Sequence, residues 1–201
     1  MCKYLVGRIQ TADSAAKEAA CLCLADICSK VSSEEVHAAF GPIVDELMTV
    51  LAKCFSDDGW TVRDAAITAS STLIAAYPKE LKHESFEAAC FKLLCDAMYN
   101  VRLNAAKALC AILKQTPQPK ELLDKMDAHL AENILKAKDQ QNPENMQRTR
   151  INIQGQYLDK QLYEFAQQEM NRDAELWERS DGCVFLLHHL SLVRLQQNPE
   201  G

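Results

Sequence analysis

The feature that most constrains the fold is a pattern of residues that occurs twice with a spacing of 39 positions, from Asp57 to Asp96. Each copy has an acidic residue, an aromatic residue, a Val-Arg pair and then a stripe of alanine and larger aliphatic residues. A repeat of this length is typical of stacked helical hairpins. The matched positions are Asp57/Asp96, Trp60/Tyr99, Val62/Val101, Arg63/Arg102, Ala66/Ala105, Ala69/Ala108 and Leu73/Ile112.

Two further stretches follow the same pattern less closely. Lys17 aligns with Arg63 at a spacing of 46 positions, and small and apolar residues follow both of them. Near the carboxyl end, Asp181 lies 117 positions after Asp64, which is three times 39. The sequence therefore predicts additional, degenerate repeats on both sides of the two clear ones.

The segments between turns have the apolar spacing of helices, and none alternates apolar and polar residues as a half-buried strand does. Six glycines and six prolines in 201 residues leave little material for tight hairpins between strands. Short connections place successive helices side by side and antiparallel. We predict an all-α fold, an α-solenoid of antiparallel helical hairpins with a less regular helical C-terminal part.

The pattern divides the chain into three parts. Helical repeats are expected over 1–138, and the polar stretch 139–147 is expected to be a linker. The remaining 148–201 is expected to be a helical segment, with 173–195 as a candidate terminal, degenerate repeat. Residues 1–10 lack the polar outer face that ends a solenoid, which leaves open that the chain belongs to a larger chain or complex.

Composition excludes several classes of protein. A net charge of −6, from 22 basic and 28 acidic residues, disfavours broad contact with nucleic acid. No apolar run approaches the roughly 20 residues of a membrane span, and the amino terminus does not resemble a signal peptide. The nine cysteines lie within helical apolar patterns, which suits small core residues in a reducing compartment. We expect a cytoplasmic protein, with the nucleus as the other possibility.

The hairpin over residues 42–73 resembles a HEAT repeat of the armadillo-like superfamily. Its most specific feature is an aspartate in the turn with an arginine six positions later, met by Asp57 and Arg63 and again by Asp96 and Arg102. In that family these residues form a ladder between neighbouring repeats. The resemblance implies that role for these four side chains.

The resemblance also implies a function as a non-catalytic scaffold or adaptor that binds a protein partner in the groove lined by the second helices of the hairpins. Through Trp60 and Arg63 the chain also resembles, more loosely, TOG-type arrays, which present a row of aromatics with charged neighbours as a partner-binding edge. The candidate contacts are Lys17, Asp64, Thr68, Ser71, Asn104 and Lys107 in the groove, and Trp60 and Tyr99 at the edge.

Two other functions stay open on the sequence alone. One is a HEAT-repeat enzyme or enzyme regulatory subunit of the hydroxylase or lyase kind, and the other is a transport or tubulin-binding adaptor. Such an enzyme needs several metal-ligand pairs, whereas the cluster Cys21, Cys23 and Cys28 lacks the paired spacing of zinc sites. We therefore predict no enzymatic activity, no catalytic residue, no cofactor and no metal site.

Overall fold

A computed structural model describes residues 2–11, 13–30, 41–78, 84–116, 119–139 and 172–197. Within these residues the chain forms eight α-helices, two short 3₁₀ helices and no strand, so the all-α prediction is confirmed. The α-helices are α1 Cys2–Thr11, α2 Ser14–Lys30, α3 Val44–Cys54, α4 Trp60–Ala76, α5 Glu84–Leu93, α6 Tyr99–Gln115, α7 Lys120–Asn133 and α8 Leu176–Gln197; the 3₁₀ helices are Gly41–Ile43 and Lys136–Asp139.

The helices stack in two layers. Helices α2, α4, α6 and α8 pack side by side in chain order, and we call them the B layer. Helices α1, α3 and α5 follow one another in the second layer, the A layer, which α7 extends through side-chain contacts with α5. Each A-layer helix also packs on the B-layer helix that follows it. The predicted solenoid of antiparallel hairpins is confirmed.

Small side chains lie along the buried stripes of the B layer. Ala65, Ala66 and Ala69 of α4 are at most 3% exposed, and Ala105 and Ala108 hold the matching places on α6. Alanine removes bulk where helix backbones approach, while the larger aliphatic residues fill the grooves between them. The 39-residue repeat therefore encodes the spacing of the B layer as well as its helices.

The predicted C-terminal division falls largely outside the described residues. The structure describes only residue 139 of the 139–147 linker, and it describes the 148–201 segment from 172 to 197. Within that range, α8 packs on α6 as α6 packs on α4. No helix of the described part is long and apolar enough to cross a membrane.

Helix α8 passes very close to the end of α5. A Cβ atom placed on Gly182 would lie 1.9 Å from the carbonyl oxygen of Leu94 and 2.9 Å from its carbonyl carbon. Leu94 is the residue after α5, so backbone atoms of both segments face each other at this point. Only glycine fits there without moving the backbone.

Helix α7 is attached to α5 by an ion pair and a ring contact. Lys125 Nζ lies 2.9 Å from Glu87 Oε1, and the rings of His129 and Phe91 have centroids 5.5 Å apart. The His129 Nε2 atom is buried and has no hydrogen-bond partner in the described structure. Burial lowers the pKa of His129 below its usual 6.5, because the imidazolium cation is poorly solvated there.

Substituting Gly182→Ala should destabilise the fold, because its methyl group would overlap the Leu94 backbone. We expect the free energy of unfolding to fall by about 1–3 kcal/mol, the usual cost of overpacking. Gly7→Ala in α1 is the control, since nothing lies within 4 Å of a Cβ there. Helix propensity should make that variant slightly more stable. Equal shifts in urea-denaturation midpoints would contradict the close approach.

The buried His129 should make stability depend on pH. Its folded-state pKa is lowered, so below about pH 6.5 the unfolded chain binds the proton more readily and stability falls. His129→Phe keeps a ring beside Phe91 and removes the titrating group. The variant should lose less stability than the wild type between about pH 7.5 and about pH 5.5 in urea denaturation. Parallel stability curves for the two proteins would show that His129 is not responsible.

Candidate functional site

A row of ion pairs joins the start of each B-layer helix to the next hairpin. Arg63 donates hydrogen bonds from Nε and Nη2 to the two carboxylate oxygens of Asp96, at 2.8 and 2.9 Å. One hairpin earlier, Lys17 Nζ lies 2.7 Å from Asp57 Oδ2. We call this row the ladder, and it consists of the pairs Lys17–Asp57, Arg63–Asp96 and Arg102–Asp181.

Arg63 also fixes the turn of its own hairpin. Its Nη1 donates to the carbonyl oxygens of Asp57 and Asp58, at 2.8 and 3.2 Å. The Asp57 carboxylate in turn accepts the Gly59 N–H at 2.9 Å. The planar guanidinium can serve both sets of acceptors at once because its donors form a rigid fork. Each interior arginine therefore links its own turn to the following hairpin.

Arg102 repeats this arrangement one hairpin later. Its Nη1 donates to the carbonyl oxygens of Asp96 and Ala97, both at 2.8 Å. Asp96 accepts the Met98 N–H at 2.8 Å, as Asp57 does in the preceding turn. Asp57 and Arg63 thus lie in one hairpin, and Asp96 and Arg102 lie in the next. Each aspartate is held by the lysine or arginine of the preceding hairpin.

The last pair of the ladder differs from the others. Arg102 is 2% exposed and donates from Nε and Nη2 to one oxygen of Asp181, at 3.1 and 2.7 Å. Glu178 lies 3.9 Å from Arg102 and also receives both Nη groups of Arg172, at 2.8 and 2.7 Å. The Arg102 guanidinium lies over the Trp177 ring, 5.7 Å from its centroid. The terminal arginine is thus enclosed by acidic and aromatic groups of α8.

Sequence reasoning missed the carboxylates of this last pair. The repeat aligns Asp181 with Asp64, but in the structure Asp181 binds Arg102, as Asp96 binds Arg63. It does so from within α8 instead of from a turn. The sequence did contain a signal for the first pair, because Lys17 aligns with Arg63.

Five of the six predicted groove residues lie on the solvent side of the B layer. Asn104 Nδ2 donates to Asp64 Oδ1 at 2.7 Å, which links α4 to α6. Lys107 Nζ donates to Asn104 Oδ1 at 3.2 Å and is exposed. Thr68 and Ser71 lie half-buried on α4, and the Ser71 hydroxyl donates to a carbonyl of its own helix. We call this surface, formed by Asp64, Thr68, Ser71, Asn104 and Lys107, the B face.

The remaining predicted contacts lie apart from the B face cluster. Lys17 is held in the ladder by Asp57. Trp60 is packed against the core, whereas Tyr99 at the matching position is 55% exposed. The Tyr99 ring meets Phe185 of α8 edge-on, with centroids 5.0 Å apart. The two turn aromatics therefore do not present equivalent surfaces.

Helix α8, which packs on α6, carries the two adjacent histidines His188 and His189. The rings of His188 and His189 are 5.1 Å apart, and the Nε2 of His189 is buried without a hydrogen-bond partner in the described part. Burial lowers the pKa of His189, and the charges of His188, Lys107 and Lys114 add to the effect. A lowered pKa keeps His189 uncharged near neutral pH, so the positive charge on this side of the B face comes from the exposed Lys107 and Lys114 of α6.

The cysteines are placed for packing. Cys21 and Cys28 are buried on one side of α2 while Cys23 is exposed, so the three do not converge. Burial raises the pKa of Cys110 to about 11 and that of Cys183 to about 12, so these thiols stay protonated. The described residues contain no group of three or more potential ligands suited to a metal ion.

Replacing Arg63 by alanine should destabilise the stack. Its side chain is 11% exposed and that of Asp96 is 9% exposed, so the variant leaves a nearly buried carboxylate without its cation. We expect a loss of about 3 kcal/mol in the free energy of unfolding. The control is Lys30→Ala. The side chains of Lys30 and of its partner Asp26 are 75% and 71% exposed, so this ion pair should contribute little to stability. An unchanged thermal midpoint in the Arg63 variant would contradict the role of the ladder.

Comparison with known proteins bears on the hairpin formed by α5 and α6. Residues 88–116 match the family model of the HEAT repeat. The matched stretch begins within α5, includes the turn with Asp96 and ends just beyond α6. No curated protein and no solved structure matches the chain. Residues 88–116 thus match a HEAT repeat, and together with the stacked hairpins this match supports a HEAT-repeat protein of the armadillo-like kind.

Proposed function

We propose that this protein is a non-catalytic scaffold or adaptor that binds a segment of a protein partner along the B face. The observation that carries the proposal is the contrast between the two surfaces of the solenoid. The α4 side of the B face has short, half-buried polar side chains, as at Thr68 and Ser71. On the opposite layer, α3 exposes longer charged side chains such as Glu46 and Lys53.

The hydroxyl groups of α4 suit contact with an extended polypeptide. Ser71 and Thr72 donate their hydroxyl protons to carbonyls of Ile67 and Thr68, at 2.8 and 2.9 Å. Their oxygen lone pairs then face outward as acceptors for N–H groups of a partner. Short side chains also let a second backbone come close to the helix. This surface therefore suits recognition of peptide groups more than recognition of a long side chain.

The charge along the B face indicates how a partner would be oriented. Asp64 lies on α4, whereas Lys107 and Lys114 lie on α6. A segment with acidic residues opposite α6 would complement this arrangement. Electrostatic attraction of this kind mainly sets orientation and association rate.

We also propose that the protein acts without a cofactor or metal, in the cytoplasm or the nucleus. The turn carboxylates Asp57 and Asp96, and Asp181 within α8, are held by cations in the ladder. Carboxylates fixed in this way are poor candidates for a general acid or base, which must exchange its proton during turnover. The acidic net charge supports a protein partner over nucleic acid.

A photoreactive residue placed at Thr72 in the full chain should crosslink a partner in cells that express the protein. Thr49 of α3 is the matched control, because both threonine hydroxyls donate to the carbonyl four residues earlier, at 2.9 and 2.8 Å. We expect one partner to be enriched at Thr72 and not at Thr49, as identified by mass spectrometry. The same partner crosslinked equally at both positions would refute binding at the B face.

Lys107→Glu should weaken binding of the captured partner, because it reverses the charge of an exposed B face residue. Lys120→Glu makes the same change at the exposed start of α7, in the other layer. We expect a dissociation constant about tenfold higher for the first variant and little change for the second. Equal weakening by the two variants would mean that only the net charge affects binding, and it would contradict a specific contact between Lys107 and an acidic residue of the partner.

A further inference from the structure

A second concave surface lies away from the B face, on the edge of the solenoid where the hairpin turns meet. It is a cavity of about 380 Å³, and three successive hairpins contribute to its lining. The α3–α4 turn supplies 55–58, the α5–α6 turn supplies 95–97, and the stretch leading into α8 supplies 172–174. The cavity therefore exists because α8 and its preceding residues pack next to the third hairpin.

Charged side chains dominate this cavity, four of each sign. Several are already held by partners: Arg63 binds Asp96, and Arg172 donates both Nη groups to Glu178. Asp57 is likewise held by the first lysine of the ladder. The charged lining residues are Arg63, Lys92, Arg172 and Arg179 on the basic side and Asp57, Asp58, Asp96 and Asp173 on the acidic side.

Four charged residues of the cavity lining have no ion-pair partner, and they differ in how far they are buried. Lys92, Arg179, Asp58 and Asp173 form no side-chain ion pair within the described residues. Asp58, Asp173 and Lys92 are exposed, so water screens their charges, whereas Arg179 is half-buried. The cavity lining thus contains one half-buried, permanent cation that no carboxylate of the described residues pairs.

Arg179 and Cys95 both line the cavity. Burial raises the pKa of the Cys95 thiol, and the positive charge of Arg179 opposes that rise. Arg179 lines the cavity without an ion-pair partner among the described residues, so its charge is available to an anion that enters. A guanidinium group binds carboxylate and phosphate oxygens especially well, because its planar fork matches their geometry.

We propose that this cavity binds an oxyanion, a carboxylate or phosphate group, through Arg179, with Lys92 as a second cation. The cavity is much larger than one such group, so the oxyanion enters as part of an acidic or phosphorylated side chain of a polypeptide. Exposed Asp58 and Asp173 at the rim disfavour ligands with several adjacent negative charges. The site is separate from the B face and does not depend on the function proposed for it.

The test uses the full chain labelled with ¹⁵N, titrated at constant ionic strength. The probes are N-acetyl-phosphoserine amide and N-acetyl-glutamate amide, and N-acetyl-glutamine amide is the neutral control. We expect the Arg179 Nε–H signal and the Cys95 and Asp173 amides to shift in a saturable manner. A response to the phosphoserine probe alone indicates a phosphorylated ligand, and a response to the glutamate probe indicates a carboxylate. No saturable shift with either acidic probe would overturn the proposal.

Variants separate a specific site from general charge effects. Arg179→Gln should weaken binding about tenfold, whereas Arg194→Gln, on the exposed surface of the same helix, should not. Asp58→Asn leaves the ladder intact and should tighten binding about twofold by removing a rim carboxylate. If Arg179→Gln impairs folding, the Asp58 variant still tests the site. Equal affinity in the wild type and the Asp58→Asn and Arg179→Gln variants would refute it.

Discussion

The stack depends on one interaction, the two-pronged hydrogen bond from the Arg63 guanidinium to the Asp96 carboxylate. The same guanidinium also holds two carbonyls of its own turn. A single planar group therefore fixes both the shape of one hairpin and the position of the next. Lysine cannot do this, because its ammonium group is a point charge without a fixed fork. Lys17, at the matching place, accordingly makes one bond to Asp57.

Much of the fold was predictable because its causes are local. Helical spacing of apolar residues, alanines at close approaches and an aspartate-to-arginine spacing of six residues all occur within a single hairpin. The 39-residue period then shows that Arg63 and Arg102 belong to equivalent units. The ion pairs between hairpins were harder to predict from the sequence, because Asp57 and Arg63 are close together in it and suggest a pair within one hairpin. In the structure, the Arg63 side chain holds the Asp57 backbone and the Asp96 carboxylate.

The C-terminal contacts could not be read from the period because they depend on where α8 lies along α6. Asp181 looked like a copy of Asp64, yet it meets Arg102 because α8 already begins at Leu176 and replaces a turn with helix. Gly182 looked like one more small residue in an alanine stripe. Its actual constraint is the carbonyl of Leu94, which belongs to another hairpin. Neither contact has a local sequence signal.

The same departure from the repeat explains why the last hairpin contains a charged side chain that the ladder does not pair. In the interior, each turn places one carboxylate in the ladder, and the lysine or arginine of the preceding hairpin holds that carboxylate. At α8, the cation Arg102 meets two carboxylates, of which Glu178 also binds Arg172. Arg179 lies one residue beyond Glu178, and its buried Nε has no acceptor among the described residues. A cation that the ladder does not pair therefore lies where the regular ladder ends, in the lining of the cavity that we propose as an oxyanion site.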